Sequence, residues 1–230
     1  MIEYFDEPSQ NQYPQIKLNL EYSQNKKLHM IIPTQVKSKF NPLLFFIGQN
    51  NHLAVLSSLA TFGFTIAILP ENQLSGTIQQ QVKDVKSAFR FVLLHANQFK
   101  IDTNRYFIWG EKQGALLASL SVLTANLAEW NNEDPRVLPL RFKAGIAYGL
   151  TETEVLIKNV PHHKCAPLLI FNGTDDPATS LSQLQDFADQ LMQLNHQVQI
   201  ALLKNTINGT DAFYTPYMLT SLVKKLKNFL

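Results

Sequence analysis

Six short apolar runs set the strongest limit on how this chain can fold. They are Leu43–Ile47, Phe64–Leu69, Tyr106–Trp109, Lys143–Tyr148, Leu168–Phe171 and Val198–Leu203. None alternates apolar with polar residues, and such runs suit strands buried on both faces of a parallel sheet. Helical patterns lie between most of them, over about 51–61, 77–98, 113–127, 180–194 and 215–229. In the second, Ile78, Val82, Val85, Phe89 and Val92 recur at helical spacing. Strands alternating with helices imply right-handed crossovers and a doubly wound sheet. Two alternating segments, Ile16–Tyr22 and Leu28–Ile32, come first and read as a hairpin. The expectation is an α/β fold of eight strands, mostly parallel, with an antiparallel pair at the start.

Organisation along the chain is simple. Residues 1–14 are polar, with Pro8 and Pro14, and read as an N-terminal arm; 15–230 reads as one domain. The segment 149–166 is too short for a sizeable lid domain. Twenty basic residues against 18 acidic ones leave a net charge of +2. Lys224, Lys225 and Lys227 lie on an amphipathic C-terminal helix and read as its solvated face, so no nucleic-acid partner is expected. Cys165 is the only cysteine, which fits a reducing compartment. The acidic start Met1–Glu7 lacks the build of a signal peptide, and no apolar run approaches the roughly 18 residues of a membrane span. A cytoplasmic protein is expected, and the Asn-Gly-Thr sequons at Asn172 and Asn208 then mean little. No His/Cys cluster has metal-ligand spacing and no glycine-rich phosphate loop occurs, so neither a metal nor a cofactor is expected.

The chemistry concentrates in Arg105–Ala118, where an apolar strand runs into Gly110-Glu-Lys112-Gln-Gly114 and then a small-residue helix. This is the frame of Gly-x-Ser-x-Gly, the nucleophile elbow, with Lys112 in the serine position. On these residues the chain resembles the α/β-hydrolases, in particular their small esterase/lipase branch (hormone-sensitive-lipase-like and feruloyl- or acetyl-esterase-like proteins), over roughly 25–230. Asp102 with Arg105 marks the loop into the elbow strand, and Ile101-Asp102-Thr-Asn-Arg105 is similar to the family's approach to the elbow. Asn172-Gly-Thr-Asp175-Asp176-Pro177 resembles its His-Gly-x-x-Asp-Pro turn, which gives Asp176 the place of the triad acid, with Asp175 one residue off. Asn205–Gly209 stands where such proteins carry the catalytic histidine, and that position is Asn208. Ile47-Gly48-Gln49-Asn50 stands for the family's His-Gly-Gly-Gly, so the resemblance assigns Gly48, Gln49 and Gln113 to the oxyanion hole.

Acyl transfer needs a nucleophile, a base to take its proton, and donors aimed at the developing oxyanion. A lysine ammonium is no nucleophile unless strongly desolvated, and an amide cannot shuttle a proton as imidazole does. Among the histidines, His162, His163 and His196 precede strands and should lie at the far end of the sheet. His29 falls in a strand and His95 in a helix. Only His52, beside the oxyanion loop, should reach the top face, as a substitute base or as the first turn of a solvent-facing helix. Ser75, Ser119 and Ser121 have no elbow context, and Cys165 reads as small buried filler. Two functions follow. One is an esterase-like hydrolase that has lost its serine chemistry and serves as a binding, regulatory or structural module. The other is an active carboxylesterase-type enzyme on short-chain esters or acylated small molecules, using a desolvated Lys112, or His52 with Asp176. A fold relative with unrelated chemistry in the same pocket is a third. Lys112 is expected at the tip of a tight turn, with φ above zero, and in an ion pair or a water-bridged contact with Asp176.

Overall fold

The computed structural model describes residues 13–34, 39–49, 52–161 and 164–230; the arm expected over 1–14 lies almost wholly outside them, as do His162 and His163. Its strands are β1 (Gln15–Ser23), β2 (Lys26–Ile32), β3 (Asn41–Gly48), β4 (Thr65–Pro70), β5 (Ile101–Glu111), β6 (Gly145–Tyr148), β7 (Leu168–Gly173) and β8 (Val198–Leu203). They form one sheet in the order β1-β2-β4-β3-β5-β6-β7-β8. β2 pairs antiparallel with β1 and β4, and every later pairing is parallel. The helices are α1 (Leu53–Ser57), α2 (Ile78–Leu94), α3 (Ala96–Phe99), α4 (Gln113–Leu123), α5 (Thr153–Lys158), α6 (Leu181–Gln193) and α7 (Pro216–Lys227).

The unbroken apolar runs have a direct cause. In β3, Leu43, Phe45 and Ile47 join one core with residues of α2, α4, α5 and α6. Leu44 and Phe46 join a second core, with α1 and α7 on the other face. Both faces being covered, period-two alternation has no water to answer to. Crossing β3 past β4 sets it beside β5, so Ile47 lies opposite Gly110, and the loop after β3 borders the elbow.

Three expectations about local structure are corrected. Asp102 and Arg105 lie within β5, which begins at Ile101, and not in a loop before it; their side chains pair at 2.7 Å. The long helix over 77–98 breaks at His95, which caps α2, turns its Nδ1 to Phe91 O at 2.8 Å and opens the short α3. α4 stops at Leu123, where Thr124 caps it, short of residue 127. Between β6 and β7 the only helix among the described residues is the six-residue α5, as expected of a chain without a lid domain.

Candidate active site

The elbow survives as geometry. Gly110 ends the apolar part of the central strand, and a Cβ there would sit 1.9 Å from Gly114 O; one on Gly114 would sit 2.3 Å from Ile47 O. Only glycine lets α4 turn back this closely over β3 and β5. Lys112 stands at the tip with φ 51° and ψ −117°, a conformation a side chain rarely adopts, and its N–H donates to Tyr148 O at 2.9 Å. Gln113 then opens α4, and the Ala115 N–H donates back to Lys112 O at 3.0 Å.

The three triad positions converge at this end of the sheet. The exposed Lys112 lays its stem along Gly209: a Cβ on that glycine would meet Lys112 Cε at 2.1 Å and Nζ at 2.7 Å. Asn208 is next to Gly209, and both polar atoms of its amide are engaged. Its Oδ1 accepts from Gly173 N at 2.8 Å and its Nδ2 donates to Asn172 Oδ1 at 2.8 Å. Asp176 Oδ2 accepts from Asn208 N at 2.8 Å, and Oδ1 accepts from Ala178 N at 2.9 Å. The acid therefore keeps its place, while Asp175 is exposed and bonds Thr174. Of the two contacts expected between Lys112 and Asp176, the direct ion pair is not made. Two backbone donors already satisfy the carboxylate. Nearby, burial and the Glu111 charge push the Glu71 carboxyl up, opposed by the Gln49 hydrogen bond and then by the Lys112 charge. Asn172 is fully buried beneath this site, and its first sequon is closed to modification.

At the oxyanion loop, Gly48 is required, since a Cβ there would sit 2.6 Å from the Phe46 ring and 2.8 Å from Glu111 Oε1. The Gln49 N–H donates to Glu111 Oε1 at 3.2 Å, so this donor is already engaged by a carboxylate. Glu111 is the residue that sequence reasoning missed. It is 4% exposed, and its Oε2 accepts the Tyr214 hydroxyl and lies 3.2 Å from His52 Nε2. Burial would raise its pKa, but the hydrogen bonds of His52 and Tyr214 outweigh this and hold it below the ordinary value. The Tyr214 hydroxyl is pushed up by burial and by the Glu111 charge. His52 is thus not in a solvent-facing turn. It is buried at the start of α1, stacked 3.9 Å from the Tyr214 ring, and its carboxylate partner is Glu111 and not Asp176.

The remaining candidates hold structural roles. Ser119 and Ser121 bond back to Ala115 O and Leu117 O inside α4. His29 Nδ1 accepts from Asn19 N, and His196 Nε2 meets Pro161 O. Cys165 is half-buried, its thiol pushed up to about 11 by burial. Among the described residues no group of His, Cys, Asp and Glu could hold a metal ion, and no helix is long and apolar enough to cross a membrane.

Sheet order, elbow and convergent strand ends define this as an α/β-hydrolase fold. Residues 45–148, from β3 through the elbow to the end of β6, match the BD-FAE family model. No curated protein matches the chain. Among solved structures, a truncated carbohydrate esterase from gut microbiota superposes with TM-score 0.76 at 13% identity, over 96% of this chain and 98% of that one. Esterase B from Lactobacillus Rhamnosis gives 0.72 at 13%, over 97% and 87%. Thermogutta terrifontis esterase 2, phosphorylated by paraoxon, gives 0.71 at 16%, over 94% of each chain. The chain has the α/β-hydrolase fold and resembles its esterase/lipase branch.

Proposed function

We propose that this esterase-like protein has lost serine-hydrolase chemistry and serves as a binding or regulatory module for a small ester or acyl ligand. The observation that carries the reading is Lys112 at the elbow tip beside an Asn208 whose amide is fully engaged. The first leaves no hydroxyl to attack a carbonyl, and the second no group to take its proton. Gln49, its N–H spent on Glu111, adds a third deficit at the oxyanion position. Lys112 is exposed and not desolvated, which argues against an amine nucleophile.

One observation favours the alternative, an active hydrolase using a different site: His52 and Glu111 form a buried imidazole–carboxylate pair beside the oxyanion loop. Against it, His52 is buried and its ring face is stacked on Tyr214. Purified protein is expected to show no turnover of p-nitrophenyl acetate or butyrate above background, and no labelling by a fluorophosphonate probe. Ester turnover that survives Lys112→Ala and vanishes with His52→Ala would replace the first reading by the second.

A further inference from the structure

Away from the elbow cleft, a groove between β8 and α7 joins apolar walls to unpaired positive charge. It holds about 470 Å³, within the size range of small-ligand sites. Ala201 and Leu203 alternate along β8 onto the face that packs against α7, and with Met218 they stay only partly buried, because the groove leaves them uncovered. From α7, Met218, Ser221 and Lys225 line it at the i, i+3, i+7 spacing of one helix face.

The charge sets this groove apart. Lys204 and Lys225 both line it, and neither ammonium has a hydrogen-bond or ion-pair partner among the described residues. Lys224 and Lys227 on the same helix are exposed, whereas Lys225 is half-buried, its methylene stem covering apolar wall. No carboxylate stands ready to answer it: over 190–230 the four lysines 204, 224, 225 and 227 meet a single acid, the exposed Asp211. A partly desolvated ammonium without an acceptor is suited to an anion. We propose that this groove binds a single-chain anionic amphiphile, a medium-chain fatty carboxylate, with its head on Lys225 and its chain over Ser221 and Met218 toward Leu203. The helix row from 218 to 225 is about 10 Å long, enough for such a chain to lie extended. A free amphiphile fits better than a membrane surface, because charge and apolar wall lie inside one ligand-sized groove.

Calorimetric titration of the full chain with sodium decanoate, below its micelle threshold and at neutral pH, tests this. Binding should be saturable and one-to-one, and about two- to fourfold tighter for each methylene added between octanoate and dodecanoate. Lys225→Gln should weaken it about tenfold or more, while Lys227→Gln, which removes the same charge from the exposed face, should leave it unchanged. Ser221→Phe fills the groove and keeps the lysines, and should block binding; melting temperatures show that each variant is folded. A reading independent of any variant is hydrogen exchange, in which decanoate should protect 217–225 and not 112–116. The absence of saturable binding, an equal loss with Lys225→Gln and Lys227→Gln, or binding to phosphatidylglycerol vesicles without binding to monomeric decanoate would overturn the proposal. Protection at 112–116 in place of 217–225 would also overturn it, while supporting an acyl ligand in the elbow cleft.

Discussion

At Lys112 the fold retains a conformation that its side chain gains nothing from. With φ at 51° and ψ at −117°, a residue with a Cβ is strained by about 1–3 kcal/mol, and the turn holds it there because Gly110 and Gly114 lock α4 over β3. Lys112→Gly should therefore stabilise the protein by about 1 kcal/mol, a rise of roughly 2–4 °C in Tm for a chain of this size. A calorimetric melt checks this, and a lower Tm would mean that the lysine stem along Gly209 outweighs the strain. Family resemblance singled out Lys112, Asp176 and Asn208, each beside a glycine or proline turn. It did not single out Glu111, although Glu111 adjoins Lys112. Its partners Gln49 and Tyr214 are 62 and 103 residues away, a closeness that only the folded sheet creates. The direct Lys112–Asp176 ion pair is missing for a similar reason: spacing brought the two residues near, but could not show that Asp176 already held two backbone donors.

At the scale of elements, Glu111 ties the end of β5 to the loop after β3, to the start of α1 and to the turn before α7. Replacing it by alanine strands a buried hydroxyl and an imidazole, and should lower stability by about 3 kcal/mol, within the range for breaking a buried pair. The sign of its pH dependence follows from its depressed pKa. The group stabilises the fold above its ordinary value of 4.5, and that contribution disappears as pH falls through the lower, folded-state value. Urea melts of wild type and Glu111→Gln should thus differ at pH 7 and converge under acid. Lys86 shows the opposite behaviour. It is fully buried, and its Nζ donates to Thr124 O, Thr124 Oγ1 and Trp130 O, closing the end of α4. Burial, helped by the Arg90 charge and opposed by Glu129, lowers its pKa from 10.5 to about 7. Between these values the unfolded chain binds the extra proton, so stability rises with pH from about 7 toward 10.5. Lys86→Met should flatten that part of the wild-type rise, which chemical melts at pH 7, 8.5 and 10 would measure. An unchanged slope would place the titration elsewhere.

For the molecule as a whole, strand number and the leading antiparallel pair followed from residue patterns, because short continuous apolar runs between turn signals suit strands sheltered on both sides. Element ends did not follow. His95 breaks a helix whose apolar spacing runs on past it, and Asp102 and Arg105, expected in the loop before the elbow strand, pair inside it. The same distinction governs whether activity can be restored. The ends of β5, β7 and β8 bring Lys112, Asp176 and Asn208 close together. Lys112→Ser alone should stay inactive for want of a base. Lys112→Ser with Asn208→His should turn over p-nitrophenyl acetate measurably, since Asp176 Oδ2 already lies 2.8 Å from the backbone of position 208. Turnover should nonetheless fall about 100- to 1000-fold short of a site with an intact oxyanion hole, because Gln49 N–H remains committed to Glu111. Fluorophosphonate labelling and ester kinetics on the folded double variant decide it. Neither labelling nor turnover would mean that the fold keeps the triad's positions without its alignment.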